Sequence, residues 1–127
     1  MADVVLDSSA ALAFLLNETG AEVVRAARWG SAMSAVNYAE VIAKLIEDGV
    51  GEDEAQHITD RLGCRIFEAD RERAALAARL YAKTRRTGVS QGDRFCLALA
   101  REMGRPVLTA DRLWATLDLD IEITLIR

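Results

Sequence analysis

The sequence predicts an α/β fold in which helices cover both faces of a central, mostly parallel sheet of five strands. Short apolar, β-branched segments alternate along the chain with segments of helical periodicity, and this alternation is typical of a parallel sheet. The chain has 127 residues, of which 51% are hydrophobic, so it is long and apolar enough to bury a core. We therefore expect a single domain over residues 1–127.

The elements of the first half follow from apolar runs and the residues that cap them. Val4–Leu6 is a short apolar run with two β-branched residues, which is typical of a buried strand. Two serines that follow Asp7 offer hydroxyl caps for a helix of strong helix formers over residues 10–16. The other predicted elements here are a helix over 21–28, a weak strand over 32–34, and glycine-terminated helices over 36–46 and 52–62.

Capping residues also define the elements of the second half. A third strand over residues 64–67 precedes a long helix that Asp70 caps and that reaches about Arg86. Ser90 and Asp93 fit a capping box, which opens an apolar helix that a glycine ends. The last predicted elements are a strand over 106–109, a short helix through Trp114 and an edge strand over 121–126.

The composition argues against several classes of protein. No apolar run reaches the ~20 residues needed to cross a bilayer, and the acidic start of residues 1–3 does not resemble a secretory signal. We therefore expect a cytoplasmic protein with no membrane partner. His57 is the only histidine and lies in a polar stretch, which disfavours a catalytic triad or a histidine base. Cys64 and Cys96 lie in apolar segments, which indicates buried free thiols and no zinc site.

The charge is distributed unevenly along the chain. Residues 79–112 carry eight basic and three acidic side chains, whereas the rest of the chain carries eight basic and seventeen acidic ones. Two of the three acids in the basic stretch are Asp93 and Asp111. Acids within a basic surround suit a metal site that must also attract a polyanion, although a solvated helix face would also explain the charge.

Two acids share a position relative to the predicted sheet. Asp7 and Asp111 each lie just beyond the C-terminal end of an apolar strand. In open α/β sheets, ligands bind outside these strand ends, at the point where the strand order reverses. We therefore expect the first and fourth strands to be neighbours, with both acids at one edge of the sheet.

Two further acids lie on predicted helices. Glu40 shares a helix face with the small apolar residues Val36, Ala39 and Ala43, so it either points inward or lies at the rim and reaches solvent. Asp93 is at the third position of its helix, where capping of backbone N–H groups is a sufficient role by itself. The hypothesis of a site therefore depends on the joint placement of the four acids.

Four carboxylates in one pocket imply a cation. Neighbouring carboxylates repel and raise one another's pKa values, so proteins tolerate such a cluster mainly when a cation neutralises it. A set of oxygen ligands without Cys or His favours Mg²⁺ or Mn²⁺. A metal-bound water can then act as the nucleophile on a phosphodiester, and a carboxylate can orient it, so the chemistry needs no histidine.

Four blocks of this chain resemble the PIN-domain nucleases, and specifically the VapC toxins of bacterial toxin–antitoxin pairs. The blocks are VLDSSA at residues 5–10, SAVNYAEV at 34–41, SQGDR at 90–94 and LTADR at 108–112. Each block is a weak signal alone, but their order and spacing cover nearly the whole chain. The resemblance implies a PIN-like α/β/α sandwich.

The resemblance also implies an activity, a set of site residues and partners. It places the family's acidic quartet on Asp7, Glu40, Asp93 and Asp111. Asp7 and Asp93 are then expected to bind Mg²⁺ or Mn²⁺ directly, and the other two acids directly or through water. Ser8 and Thr109 are expected to act as supporting hydroxyls. The implied reaction is endonucleolytic cleavage of RNA that leaves a 5′-phosphate, by a homodimer that a cognate antitoxin neutralises.

Basic residues beside the quartet are candidates for RNA contacts. Arg94 and Arg112 each directly follow a quartet acid, and Arg85 and Arg86 precede the third block. We expect some of these arginines to contact RNA phosphates, with surface solubility as an equal alternative for Arg85 and Arg86. Gln91 departs from the apolar residue of many family members, which concerns local packing or substrate contact and not metal binding.

Two other functions stay open from the sequence. An aspartate-based phosphatase would use Asp7 as a covalent nucleophile, but many such enzymes need a second Asp two residues later, where this chain has Ser9. A catalytically silent PIN-like binding module would usually lack one of the four acids, and here none is missing. A trapped aspartyl-phosphate would support the first, and metal binding without RNA turnover the second.

Overall fold

Five parallel strands form the centre of the computed structural model, which describes residues 3–127. The first two residues of the acidic start lie outside the described residues. In chain order the strands are β1 (Val4–Leu6), β2 (Ser31–Ser34), β3 (Arg65–Phe67), β4 (Val107–Thr109) and β5 (Ile123–Leu125). Their order across the sheet is β3-β2-β1-β4-β5, and each neighbouring pair is parallel.

Helices cover both faces of this sheet. They are α1 (Ser8–Leu15), α2 (Ala21–Ala27), α3 (Ala35–Glu47), α4 (Glu52–Asp60), α5 (Arg71–Arg79), α6 (Tyr81–Thr84) and α7 (Gln91–Met103). Val5 and Val107 join one apolar core with α5 and α7, whereas Leu6 and Leu108 join a second core with α1 to α4. Adjacent strand residues point to opposite faces, so the two cores lie on opposite sides of the sheet. The predicted α/β/α sandwich is therefore confirmed.

The predicted elements are present, and the differences lie at their ends and caps. Asp7, and not a serine, caps α1, because its side chain accepts a hydrogen bond from the Ala10 N–H. The expected helix over 70–86 is two shorter helices, interrupted at Leu80, whose N–H bonds to the carbonyl three residues earlier. β5 lies at the sheet edge as predicted, but it covers only Ile123–Leu125.

Two expectations drawn from the composition can be compared with the structure. Cys96 is buried and Cys64 is partly buried, and both are free thiols, as predicted. Within residues 3–127, the structure contains no helix with the length and apolarity that crossing a membrane requires.

Candidate active site

Two of the four acidic residues predicted for the site follow neighbouring strands, at the carboxyl ends of the sheet. Asp7 directly follows β1, and Asp111 lies two residues beyond β4. These strands are neighbours in register, with Leu6 opposite Leu108, and the Asp7 N–H donates to the Leu108 carbonyl at 3.2 Å. The predicted adjacency of the first and fourth strands is confirmed. The strand order reverses between them, which is where open α/β sheets form a ligand crevice.

Asp7 is the buried centre of the site. Only 3% of the residue is exposed. Its carboxylate accepts hydrogen bonds from the Ala10 N–H at 2.8 Å and from the hydroxyls of Ser9 and Thr109. Burial raises the pKa of Asp7 to about 6, against the lowering effect of these hydrogen bonds, and the charge of Asp93 raises it further. The pKa of Asp7 therefore lies well above that of an ordinary aspartate.

Two hydroxyls connect Asp7 to the segment that carries Asp111. Ser9 Oγ lies 2.8 and 2.9 Å from the two carboxylate oxygens of Asp7 and accepts the Ala110 N–H at 2.9 Å. Thr109 Oγ1 contacts the same carboxylate and accepts the Asp111 N–H at 3.0 Å. Sequence reasoning missed Ser9 as a partner of Asp7. The local signal was its position two residues after Asp7, inside the first turn of α1.

Glu40 lies at the rim of the site, which decides between the two positions left open by the sequence. The residue is exposed, yet its Oε1 accepts hydrogen bonds from Ser8 Oγ at 2.6 Å and from Asn37 Nδ2 at 2.8 Å. Ser8 is thus a hydroxyl partner of Glu40 and not of Asp7. The carboxylate also lies against the backbone of Gly92 in α7. Side chains from α1 and α3 therefore hold Glu40 beside α7.

Asp93 is half-buried at the start of α7. It forms the predicted capping box: its Oδ2 accepts the Ser90 N–H at 2.9 Å, and its own N–H donates to Ser90 Oγ at 3.1 Å. Burial is the main cause that raises the pKa of Asp93, and the charges of Glu40 and Asp111 add to it. Capping and a place beside the other acids are thus compatible roles for one side chain.

Asp7, Glu40 and Asp111 each lie close enough to Asp93 for the charges to interact, and these four acids are called the acidic cluster below. The charges of Glu40 and Asp111 raise the pKa of Asp93, and the charge of Asp93 raises the pKa of Asp7. Four ion pairs of the described residues involve acids outside this cluster, namely Glu18, Glu47, Asp48 and Glu102.

The donor chemistry of the acidic cluster suits a hard divalent cation. Its metal-binding atoms are all carboxylate oxygens, which Mg²⁺ and Mn²⁺ prefer. Among the described residues, no group of three or more His, Cys, Asp or Glu side chains is arranged so that it could hold a metal ion. Mg²⁺ typically uses one or two carboxylates and keeps several waters, so a complete protein cage is not required.

Arg94, one of the arginines considered for RNA contacts, is buried in the protein. Its guanidinium is buried, donates to Thr84 Oγ1 at 2.9 Å and to the Val89 carbonyl at 3.1 Å, and lies 4.9 Å from the Tyr81 ring centroid. These contacts hold the guanidinium inside the protein, which argues against Arg94 as one of the arginines that contact RNA phosphates. The other three arginines, Arg85, Arg86 and Arg112, are exposed.

Fold and site together define the class: an α/β sandwich with carboxylates gathered at the C-terminal edge of a parallel sheet. The PIN domain family model matches residues 4–118, and the chain belongs to this family. A VapC ribonuclease of Mycobacterium bovis and ribonuclease VapC42 of Mycobacterium tuberculosis are each 32% identical over 116 residues, which covers 82% of this chain and 87% of the relative. The family resemblance predicted from the sequence is thereby confirmed.

Solved structures share the fold at low sequence identity. The DNA-bound VapBC of Salmonella typhimurium aligns with a TM-score of 0.78 and 18% identity over 100% of both chains. VapC20 of Mycobacterium tuberculosis, a toxin that cleaves the sarcin–ricin loop, aligns with a TM-score of 0.73 and 15% identity over 90% of this chain and 95% of its own. At these identities the likeness concerns the fold.

Proposed function

We propose that this protein is the toxin of a toxin–antitoxin pair, a metal-dependent endoribonuclease that hydrolyses RNA phosphodiester bonds and leaves a 5′-phosphate. The observation that carries the proposal is the acidic cluster itself, in which burial and the charge of Asp93 raise the pKa of Asp7 to about 6. Such a cluster is unfavourable without a cation, and divalent cations assist phosphodiester hydrolysis. The relatives at 32% identity are named ribonucleases, which supports the same reaction here.

The acidic cluster would hold Mg²⁺ or Mn²⁺, with Asp7 and Asp93 as direct ligands and Glu40 and Asp111 acting directly or through water. When bound, the ion would lower the pKa of a coordinated water and stabilise negative charge on the phosphate. Thr109 and the neighbouring serine hydroxyl orient the Asp7 carboxylate and favour its ionised form. Glu40 or Asp111 would orient the attacking water or accept its proton.

Exposed arginines would bind the RNA backbone. Arg85, Arg86 and Arg112 belong to the basic stretch of the chain, and all three are exposed. Arg112 directly follows Asp111, so a phosphate bound by its guanidinium would lie near the acidic cluster. Contacts of this kind supply affinity that falls with salt and carry little sequence information.

The proposed partners are a cognate antitoxin and a second copy of the chain. Several structures of the same fold are toxin–antitoxin complexes, among them one from Klebsiella pneumoniae with a TM-score of 0.75 and 13% identity. We propose that an antitoxin covers an apolar groove of this chain and can place a basic side chain in the acidic cluster. Sedimentation of the chain alone and with the protein encoded by a neighbouring gene would test both partners.

Cleavage of RNA by the purified chain tests the reaction. Wild type should cut RNA with Mg²⁺ or Mn²⁺, stop in EDTA and resume when the metal is restored, and the products should carry 5′-phosphates. Asp7→Asn should lose cleavage, whereas Asp118→Asn, at an exposed acid outside the acidic cluster, should retain it. Undiminished cleavage by Asp7→Asn would refute the proposal.

A trapped aspartyl-phosphate would instead indicate the phosphatase, and metal binding without turnover of any RNA would indicate a silent binding module.

A further inference from the structure

We propose that Asn37 and Gly92 form a cradle that fixes the Glu40 carboxylate against the first turn of α7. The inference rests on the proposed function, because it makes both residues positioning residues for the nuclease reaction. Neither residue belongs to the acidic quartet, and neither was selected by the sequence. The cradle connects α3, which carries Glu40, to α7, which carries Asp93.

Asn37 supplies the hydrogen bonds of the cradle. The residue is only 1% exposed, and its Nδ2 donates both to Glu40 Oε1 at 2.8 Å and to the Gly92 carbonyl at 3.0 Å. One amide group thus joins the carboxylate to the backbone of the neighbouring helix. Both N–H donors of the amide are used, so the geometry fixes the position of the carboxylate relative to α7.

The orientation of the Asn37 amide follows from its neighbours. Its Oδ1 is buried without a hydrogen-bond partner. The reversed amide would instead turn Oδ1 toward Glu40 Oε1 and the Gly92 carbonyl, which are both acceptors. An unpaired buried acceptor costs folding free energy. The amide therefore leaves Oδ1 without a hydrogen bond and directs both N–H donors to Glu40 and the Gly92 carbonyl.

Gly92 supplies the space of the cradle. A Cβ at this position would lie only 2.1 Å from Glu40 Oε2 and 2.6 Å from its Cδ. Glycine inside a helix is unfavourable relative to alanine, so α7 gives up helix stability at this point. The close approach of the Glu40 carboxylate gives a physical reason for glycine at position 92.

The cradle matters because Glu40 is an exposed side chain with several rotatable bonds. Without fixed partners such a side chain samples many rotamers, and ordering it costs conformational entropy. Ser8, in α1, donates a second hydrogen bond to Glu40 Oε1. Gly92 directly precedes Asp93, so fixing Glu40 at Gly92 also fixes its separation from Asp93 before any cation binds.

Gly92→Ala displaces Glu40 without removing any group of the acidic cluster. The atom in the way is the end of a flexible side chain, so the fold should persist, with a thermal midpoint within about 5 °C of wild type. We expect Mn²⁺ binding, measured by calorimetry with the metal alone, to weaken about tenfold, and kcat to fall about 10- to 100-fold. Gly51→Ala is the matched control, because an added Cβ meets nothing within 4 Å there and φ is −62°.

Non-additivity separates positioning from a general loss of stability. In a Glu40→Ala background there is no carboxylate to displace, so Gly92→Ala should weaken Mn²⁺ binding no further than Glu40→Ala alone. Asn37→Ala should show the same non-additivity. Losses of Mn²⁺ affinity that simply add in the double variants would overturn the cradle.

A crystal structure of Gly92→Ala provides a test that depends on neither metal nor RNA. The expected structure shows Glu40 separated from Asn37 and Ser8 with α7 in place. A Glu40 carboxylate still bonded to both residues would overturn the inference. If wild type cuts no RNA but the structure and the Mn²⁺ cycle behave as expected, the proposed function fails and the cradle stands.

Discussion

Thr109 donates a hydrogen bond to Asp7 from the neighbouring strand, although 102 positions separate the two residues in the sequence. The same hydroxyl accepts the Asp111 N–H at 3.0 Å. A hydroxyl can donate and accept at once, so one buried side chain orients two members of the acidic cluster. This contact exists only because β4 pairs with β1 in parallel register.

Thr109→Val tests the role of this hydroxyl with little change of shape. The variant removes a donor to Asp7 and leaves the Asp111 N–H without its acceptor, which should cost about 1–3 kcal/mol of unfolding free energy. Loss of the donor should also raise the pKa of Asp7, so the rise of activity with pH should move to higher pH. Urea denaturation and a pH–rate profile measure both effects. Thr124→Val, at an exposed position of β5, is the control, and an unshifted profile for Thr109→Val would contradict the role.

The raised pKa of Asp7 predicts that its charge destabilises the metal-free fold. Its pKa is about 6 in the folded protein and 3.8 in the reference state, so the protonated form is favoured by folding and stability falls as pH rises through this window. In EDTA near pH 7.5, Asp7→Asn should therefore be more stable than wild type by on the order of 2–3 kcal/mol. Asn can still cap α1, so the comparison retains the cap.

The difference should vanish near pH 2.5, well below the reference pKa of 3.8, where Asp7 is protonated in both states. Thermal unfolding in EDTA at the two pH values measures it. Wild type that is at least as stable as Asp7→Asn near pH 7.5 would show that the buried charge carries no such cost.

Mn²⁺ should stabilise wild type and have less effect on Asp7→Asn. A ligand that binds only the folded state adds about 2.7 kcal/mol when its free concentration is about 100 times Kd. Binding requires an ionised Asp7, so the stabilisation should be smaller at pH 5 than at pH 7.5. Thermal midpoints with Mn²⁺ and with EDTA test this. Equal midpoint shifts in the two proteins would exclude Asp7 as a ligand.

Arg94 and Arg112 should behave in opposite ways. Arg94→Met removes a buried guanidinium that holds Thr84 and Val89, so it should lower the unfolding free energy by about 2–3 kcal/mol. Arg112→Gln, at an exposed position, should leave stability unchanged. It should also reduce the slope of log K for RNA binding against log salt concentration by about the amount that one phosphate contact contributes. Denaturation curves and RNA binding in a salt series separate the two effects. A reduced salt slope for a folded Arg94→Met would restore the original prediction.

Position along one element pointed to only part of the predicted site. Asp7 and Asp111 were candidates because each follows a predicted strand, whereas Glu40 and Asp93 also had ordinary structural roles and were placed in the quartet by the family resemblance. The sequence could not predict that Ser8 bonds to Glu40 whereas Ser9 bonds to Asp7, since these contacts depend on which element lies opposite each hydroxyl. Ser8 contacts a residue 32 positions away, and Ser9 contacts Thr109, 100 positions away.

The sequence by itself determined the order of the elements, the parallel sheet and the acids at the strand ends. These follow from periodicity, caps and turns, which act over a few residues. Only the tertiary structure decided that Arg94 is buried, that Asn37 and Gly92 enclose Glu40, and that burial raises the pKa of Asp7. Each of these depends on packing between elements distant in sequence, because burial and close approach are properties of the assembled core.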